Sequence, residues 1–229
     1  MRILVACEES QAVTIELRKL GHEAYSCDII ECSGGHPEWH TQGDVLPLLN
    51  GSGDKEEYFC TQDNKSHKLP KRWDLIIAHP PCTYLSKAGA RWMYPRSGEV
   101  NPERLKKAMK ARRFFLEIFN ADCPKIAIEN PVPLKIVNLP KCTQAIQPYQ
   151  FGHPYSKQTL LWLKGLPLLE STEILGKYAP YCPSNTSKFA KNGVGGSTGS
   201  AHTARVRSLT FPGIAKAMAE QWAGYAYDE

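Results

Sequence analysis

The sequence predicts an α/β domain: a doubly wound, mostly parallel sheet with an antiparallel hairpin near its C-terminal end. Three observations predict it. A strand–helix–strand pattern opens the chain. Two short apolar runs, one through Leu75-Ile76-Ile77-Ala78 and one from Lys125 to Glu129, lack polar alternation, as strands buried on both faces of a parallel sheet do. Residues 147–164 read as strand, turn and strand, which is the grammar of a hairpin.

In order, Arg2 to Ala6 is the first strand. A helix follows from about Ser10, with Val13, Leu17 and Leu20 on one face and Gly21 as its stop. His22 to Ile29 is the second strand, ending at Asp28, and the unit closes right-handed. Gly43-Asp44-Val45 marks a third turn beside the sheet. Residues 50–72 are polar and turn-rich and read as an exposed insertion, in the plain reading a mobile loop and in the alternative a substrate-contacting one. The strand from Asp74 must stop at Pro80-Pro81, because proline cannot extend a ladder.

Ala88 to Tyr94 is a loop that mixes aromatic and basic residues. A helix runs from about Pro102 to Asn120, with proline in its first turn. Lys106, Lys107, Lys110, Arg112 and Arg113 read first as a solvated face, with a phosphate-binding patch as the alternative. The hairpin turns at Gly152 to Ser156. Residues 170–206 are rich in Pro, Ser, Asn, Lys and Gly and read as irregular or flexible. A last helix starts at Phe211, where Ile214, Met218 and Trp222 recur every fourth residue.

The 229 residues, 42% hydrophobic, suffice for one good core and a small appendage. No apolar run approaches the about 18 residues of a transmembrane helix, and Met-Arg-Ile-Leu-Val-Ala turns polar too soon for a signal peptide. A cytoplasmic chain with no membrane partner is therefore expected. The eight cysteines contain no C-x-x-C pair, so no metal site is expected, and most are read as reduced core residues. A net charge of +5 is compatible with nucleic acid.

Two strand ends carry chemistry. Cys82 sits just past a strand's carboxyl end, where open α/β sheets bind ligands, behind a rigid Pro-Pro entry. Glu129 ends the other buried run, before Asn130-Pro131. A thiol and a carboxyl in one cleft have a specific use. The C5 carbon of cytosine is too weak a nucleophile to take an alkyl group unaided. A thiolate adding to C6 makes C5 enamine-like, and a carboxyl bonded to N3 assists that addition. Simpler readings stand beside this one. Cys82 also fits a small core residue, and Glu129 the cap of the next turn. Asp28 and Asp44 fit turn-forming as well as ligand-binding roles. His79 fits a thiolate stabiliser or a packed strand-end residue. Arg91 and Trp92 fit DNA contact, a filler for a flipped-base gap, or surface packing. Arg205 and Arg207 fit phosphate contacts or solvated charge.

Pro80-Pro81-Cys82 followed by Ser86 resembles the Pro-Cys nucleophile loop of DNA (cytosine-5) methyltransferases, and Glu129-Asn130-Pro131 resembles their Glu-Asn-Val motif. Phe151 to Thr159 is similar to the next family motif, with Tyr155, Lys157 and Thr159 where the family has Gln, Arg and Arg. The helix from Pro212 resembles the last motif. Nearly the whole chain, except 50–72 and 170–206, looks like the small phage-type members. The resemblance implies a Rossmann-like catalytic methyltransferase domain over 1–164 and 209–229, with 165–208 as a short target-recognition region. It implies S-adenosylmethionine as cofactor, DNA as partner, and C5 methylation of a flipped-out cytosine through Cys82 with Glu129. By position it implies a cofactor side of Ala6, Cys7, Glu8, Asp28, Ile29, Asp44, Val45 and Pro80. The substrate side would be Pro81, Ser86, Asn130, Lys157, Thr159 and Arg91. The family's glycine-rich first motif reads here Val5-Ala6-Cys7-Glu8-Glu9-Ser10, without glycine. Two other readings remain: an exocyclic amino methyltransferase, whose Asp/Asn-Pro-Pro-Tyr/Phe motif is nearly matched by His79-Pro80-Pro81-Cys82, and a non-catalytic DNA-binding relative of the fold.

Overall fold

The computed structural model describes residues 1–95, 98–179 and 209–226. The segment containing Gly193 to Ser200, Arg205 and Arg207 therefore lies outside the described residues, as does most of 165–208.

The main sheet is made by β1 (Arg2–Ala6), β2 (Glu23–Asp28), β3 (His40–Gln42), β6 (Leu75–Ala78), β7 (Ile126–Pro131), β8 (Gln144–Ile146) and β9 (Thr159–Lys164). Among the described residues these seven strands lie in the order β3-β2-β1-β6-β7-β9-β8. The first five are mutually parallel, and β9 runs antiparallel to both β7 and β8. Helices cover both faces, so the sheet is doubly wound. On one face lie α1 (Ala12–Lys19) and α4 (Pro212–Trp222), and on the other α3 (Pro102–Phe119), preceded by the single turn α2 (Ala90–Met93).

The apolar runs explain the two cores. Strand side chains alternate between faces. Leu4, Ala6, Ile76, Ala78, Ile126 and Ile128 pack toward Phe115 and Ile118 of α3 and toward Trp73 and Trp162. Ile3, Val5, Leu75, Ile77, Ala127 and Leu161 pack toward Val13 and Leu17 of α1 and toward Ile214, Met218 and Trp222 of α4. Both faces are dry, which is why these strands show no polar alternation. The chain winds away from β1 in both directions, to β2 on one side and β6 on the other. The crevice at the carboxyl ends of β1 and β6 is thus the switch point where such sheets bind ligands.

Several stretches differ from their sequence reading. Ala88 to Tyr94, expected as a loop, contains the helical turn α2. The first strand of the expected hairpin lies at Gln144–Ile146, before residue 147, and Pro148–Gln150 is a 3-10 turn. Residues 50–72 do not form a plain loop: β4 (Tyr58–Cys60) and β5 (Ser66–Lys68) pair as a two-stranded hairpin. Phe59 and Leu69 enter the core, and Phe59 meets Tyr25 edge-on at 5.0 Å between ring centroids. Polar turns dominate the composition there and hide two inward apolar side chains. His40–Gln42 adds an edge strand ahead of the turn at Gly43. The described part of 170–206 is docked: Glu173 and Ala179 bridge to Phe151 and Tyr155, and Tyr178 stacks on Tyr149 at 3.9 Å.

Candidate active site

The turn after β6 is the first wall of the site. The His79 amide still donates to the Ala6 carbonyl at 2.9 Å, and the ladder then ends at Pro80. The amides of Leu85 and Ser86 both donate to the Cys82 carbonyl, so the turn closes on Cys82 itself. Cys82 is half-buried, Pro80 is buried and Pro81 is exposed. The buried Asn130 side chain donates from Nδ2 to the Pro80 carbonyl at 2.7 Å. Ser86 bridges Pro133, and the Lys87 amide reaches the Val132 carbonyl at 2.9 Å. The Cys82 turn is thereby fastened along the chain that leaves β7. Arg104 holds it from the other side: Nη2 donates to the Thr83 carbonyl at 2.8 Å, and the guanidinium lies over Tyr84 and Trp92.

Glu129 lies in the last part of β7, one register step beyond the pairing of Ala78 with Ile128. That step brings it beside His79. His79 Nδ1 and Glu129 Oε2 are 3.2 Å apart, with side-chain exposures of 9% and 19%. Burial disfavours the charged imidazole, but the hydrogen bond and charge of Glu129, helped by Glu8, outweigh it and raise the His79 pKa. Burial likewise opposes ionisation of Glu129, yet the bond to His79, that ring's charge and Lys157 hold its carboxyl below the usual range. Each partner therefore favours the charged form of the other. A crevice runs from Glu129 past Lys157 and Thr159 to Thr210, Phe211 and Ile214. Lys157 Nζ stands 5.6 Å over the Phe211 ring, and Thr159 Oγ1 donates to the Lys157 carbonyl at 3.2 Å. His153 fixes this wall, since its Nε2 accepts the Gly213 amide at the start of α4 at 2.9 Å.

The second wall is the turn after β1. Cys7 and Gln11 adopt left-handed backbone, with φ of 59° and 58°. A residue that pays this steric cost without being glycine is held by its surroundings. Cys7 and Glu8 both donate their amides to the Cys27 carbonyl. The Glu8 carboxylate is turned inward and accepts from the Val13 amide and from the amide and hydroxyl of Thr14, capping α1. Burial still pushes its carboxyl up, against His79 and those bonds. Gln11 exchanges hydrogen bonds with the backbone of His36, and Glu9 is bonded to Ser33, so the loop after β2 is tied down over this turn.

At the end of β2, Asp28 accepts the Ile30 amide, and after β3 the exposed Asp44 accepts the Leu46 amide. Both carboxylates therefore make turns, and both act electrostatically on Cys7. Ile29, next to Asp28, is 74% exposed, while Val45, next to Asp44, is buried. Burial, Asp28 and Asp44 push the Cys27 thiol up to about 12, and burial with the same carboxylates raises Cys7 as well. These two thiols stay protonated at neutral pH.

Of the residues singled out in the sequence, the structure gathers Glu129, Lys157 and Thr159 on one crevice. It ties Asn130 to Pro80 and Ser86 to the Cys82 turn. Cys7, Asp28 and Asp44 gather about the ends of β1, β2 and β3. Arg91 stacks over Trp92 at 3.9 Å, and Trp92 is 49% exposed. The pairing of His79 with Glu129 went unread in the sequence, although each is a first polar residue at the end of an apolar run. Thr210, Phe211 and Arg104 carried no signal of their own. Among the described residues no acidic, histidine and cysteine side chains cluster as a metal site. No helix among them is long and apolar enough to cross a membrane.

No protein-family model and no curated protein matches this sequence. Among solved structures, a candidate DNA modification methyltransferase encoded within an E. coli prophage is similar to this chain at 15% sequence identity and a TM-score of 0.41. The match covers 75% of this chain and 51% of that one, so this chain spans about half that protein's length.

Proposed function

We propose that this protein transfers a methyl group from S-adenosylmethionine to C5 of cytosine in DNA, with Cys82 as nucleophile and Glu129 as the group at N3. One observation carries the reading: a half-buried thiol opens the turn after β6, while a half-buried carboxylate lies near the end of the adjoining strand. An ordinary core offers neither group at a strand's carboxyl end.

The residues fit the methyl donor. Asp28 and Asp44 offer carboxylates at neighbouring strand ends for hydroxyl and amino donors, and the exposed Ile29 offers an apolar face for a purine. Ala6, Cys7 and Pro80 line the ends of β1 and β6 between that side and Cys82. Glu8 would contribute backbone only, since its carboxylate caps α1. S-adenosylmethionine supplies an electrophilic methyl on sulfur.

The Cys82 thiolate adds to C6 of a cytosine turned out of its stack, while N3 takes a proton held at Glu129. The electron pair pushed onto C5 would take the methyl as its bond to the sulfonium sulfur breaks, leaving the donor as a neutral thioether. Loss of the C5 proton then re-forms the ring double bond, expels the Cys82 thiolate and returns the N3 proton. Asn130 keeps Pro80, and through it the thiol, in place. Lys157 contributes positive charge where a polyanion would pass.

The test is incubation with labelled S-adenosylmethionine and cytosine-containing DNA, followed by digestion to nucleosides. Label is expected in 5-methylcytosine, falling to background in Cys82→Ser. Label in an exocyclic N-methyl base would replace this reading with amino methylation. DNA binding without label would leave a non-catalytic binder.

A further inference from the structure

We propose that His79 is a positioning residue that works through Glu129: the proton delivered to N3 is held on the imidazole and passes through the carboxyl. The inference rests on the cytosine reading above and says where its proton comes from.

The geometry carries it. A carboxylate facing an imidazole at 3.2 Å, both largely withdrawn from water, holds one proton between two heavy atoms. The ring has no second strong acceptor. The Thr210 hydroxyl lies 3.5 Å from the same Nδ1, and Nε2 is buried with no hydrogen-bond partner among the described residues. The groups facing His79 come from every side of it. Glu129 stands on β7, Glu8 on the turn before α1, and Lys157 ahead of β9; the two carboxyls favour the imidazolium and the ammonium opposes it. A carboxylate so paired has no proton of its own to give. Glu129 alone would have to take up a proton before giving one to N3, whereas the ring 3.2 Å away can supply it.

The proton balance is simple. As sulfur adds to C6, His79 Nδ1 gives its proton to the Glu129 carboxylate, and the carboxyl so formed gives a proton to N3. The imidazole is left neutral. When C5 loses its proton to a base and sulfur departs, N3 gives its proton back along the same path, and the imidazolium is restored. Nothing is oxidised or reduced, and solvent water accepts the C5 proton.

The test uses the full chain with isotope-labelled histidine. The ring signals of His79 are identified by their loss in His79→Gln and followed against pH. In the unaltered protein the ring is expected to stay protonated through neutral pH, and in Glu129→Gln it is expected to lose its proton at lower pH. The second readout is exchange of the cytosine C5 hydrogen into solvent, which reports reversible addition at C6 without methyl transfer. His79→Gln is expected to slow exchange about 100-fold, to leave DNA affinity unchanged, and to remove the alkaline limb of the pH profile. A His79 titration that Glu129→Gln does not move overturns the proposal. Exchange in His79→Gln at the unaltered rate and profile overturns the relay but leaves the cytosine reading standing. No exchange in the unaltered protein, together with label in another base, overturns the cytosine reading and the relay with it.

Discussion

Two side chains set the charge of the site, and their opposite shifts give stability a defined pH dependence. The His79 pKa lies above its ordinary 6.5, so its contribution is complete below about that pH and is lost as pH rises through the raised value. The Glu129 pKa lies below its ordinary 4.5, so its contribution is present above about that pH and is lost as pH falls through the lowered value. The pair therefore stabilises most between about pH 4.5 and 6.5. The Tm difference between the protein and His79→Gln/Glu129→Gln should be most favourable to the unaltered chain near pH 5.5 and should shrink by pH 9. A difference independent of pH would contradict the ion pair. At this scale the sequence was half legible. Cys82 and Glu129 stood out because each follows an apolar run. The bond between Glu129 and His79 depends on strand neighbours fifty residues apart in sequence, and no local pattern encodes it. Asp28 and Asp44 stood out equally, and the structure shows both already engaged in turns.

At the scale of elements, α4 and the loop before β9 must meet closely to make the crevice. A Cβ at Gly213 would stand 2.1 Å from the Phe151 carbonyl oxygen and 3.0 Å from His153 Nε2. The contact is backbone against backbone and cannot be relieved by a side-chain rotation. Gly213→Ala should cost about 1–3 kcal/mol through overpacking and displace the start of α4, with Thr210 and Phe211. Thermal unfolding reads the first effect, and lowered methyl transfer the second. An unchanged Tm would mean that α4 is not seated as described. Elements with strong periodicity were legible: α1, α3 and α4 fall within a few residues of their expected bounds. The hairpin of β4 and β5 was not, because Phe59 of β4 and Leu69, just past β5, sit in a segment whose composition is dominated by polar, turn-forming residues. The docking of 170–179 against 149–155 was hidden for a similar reason, since bridges to Phe151 and Tyr155 are made by backbone.

For the whole molecule, one sheet explains why residues far apart in sequence act together. Its switch point between β1 and β6 leaves a crevice with the ends of β2 and β3 on one side and that of β7 on the other. The turn carrying Cys7 lies beside the acidic strand ends, and the turn carrying Cys82 is tied through Asn130 to the strand that bears Glu129. The parallel half and the antiparallel return were both legible, from unbroken apolar runs and from hairpin punctuation. The edge strand β3 was not, being only three residues long. The central claim is that Cys82 bonds to cytosine, and it has a direct measurement. DNA carrying 5-fluorocytosine is incubated with the protein and S-adenosylmethionine, and the intact complex is weighed by mass spectrometry. Fluorine at C5 cannot leave as a proton does, so the adduct is trapped. A species of protein plus oligonucleotide plus one methyl, joined at Cys82 and missing in Cys82→Ser, is the expected result. Uncombined protein and DNA from a preparation that still methylates DNA at another atom would contradict it.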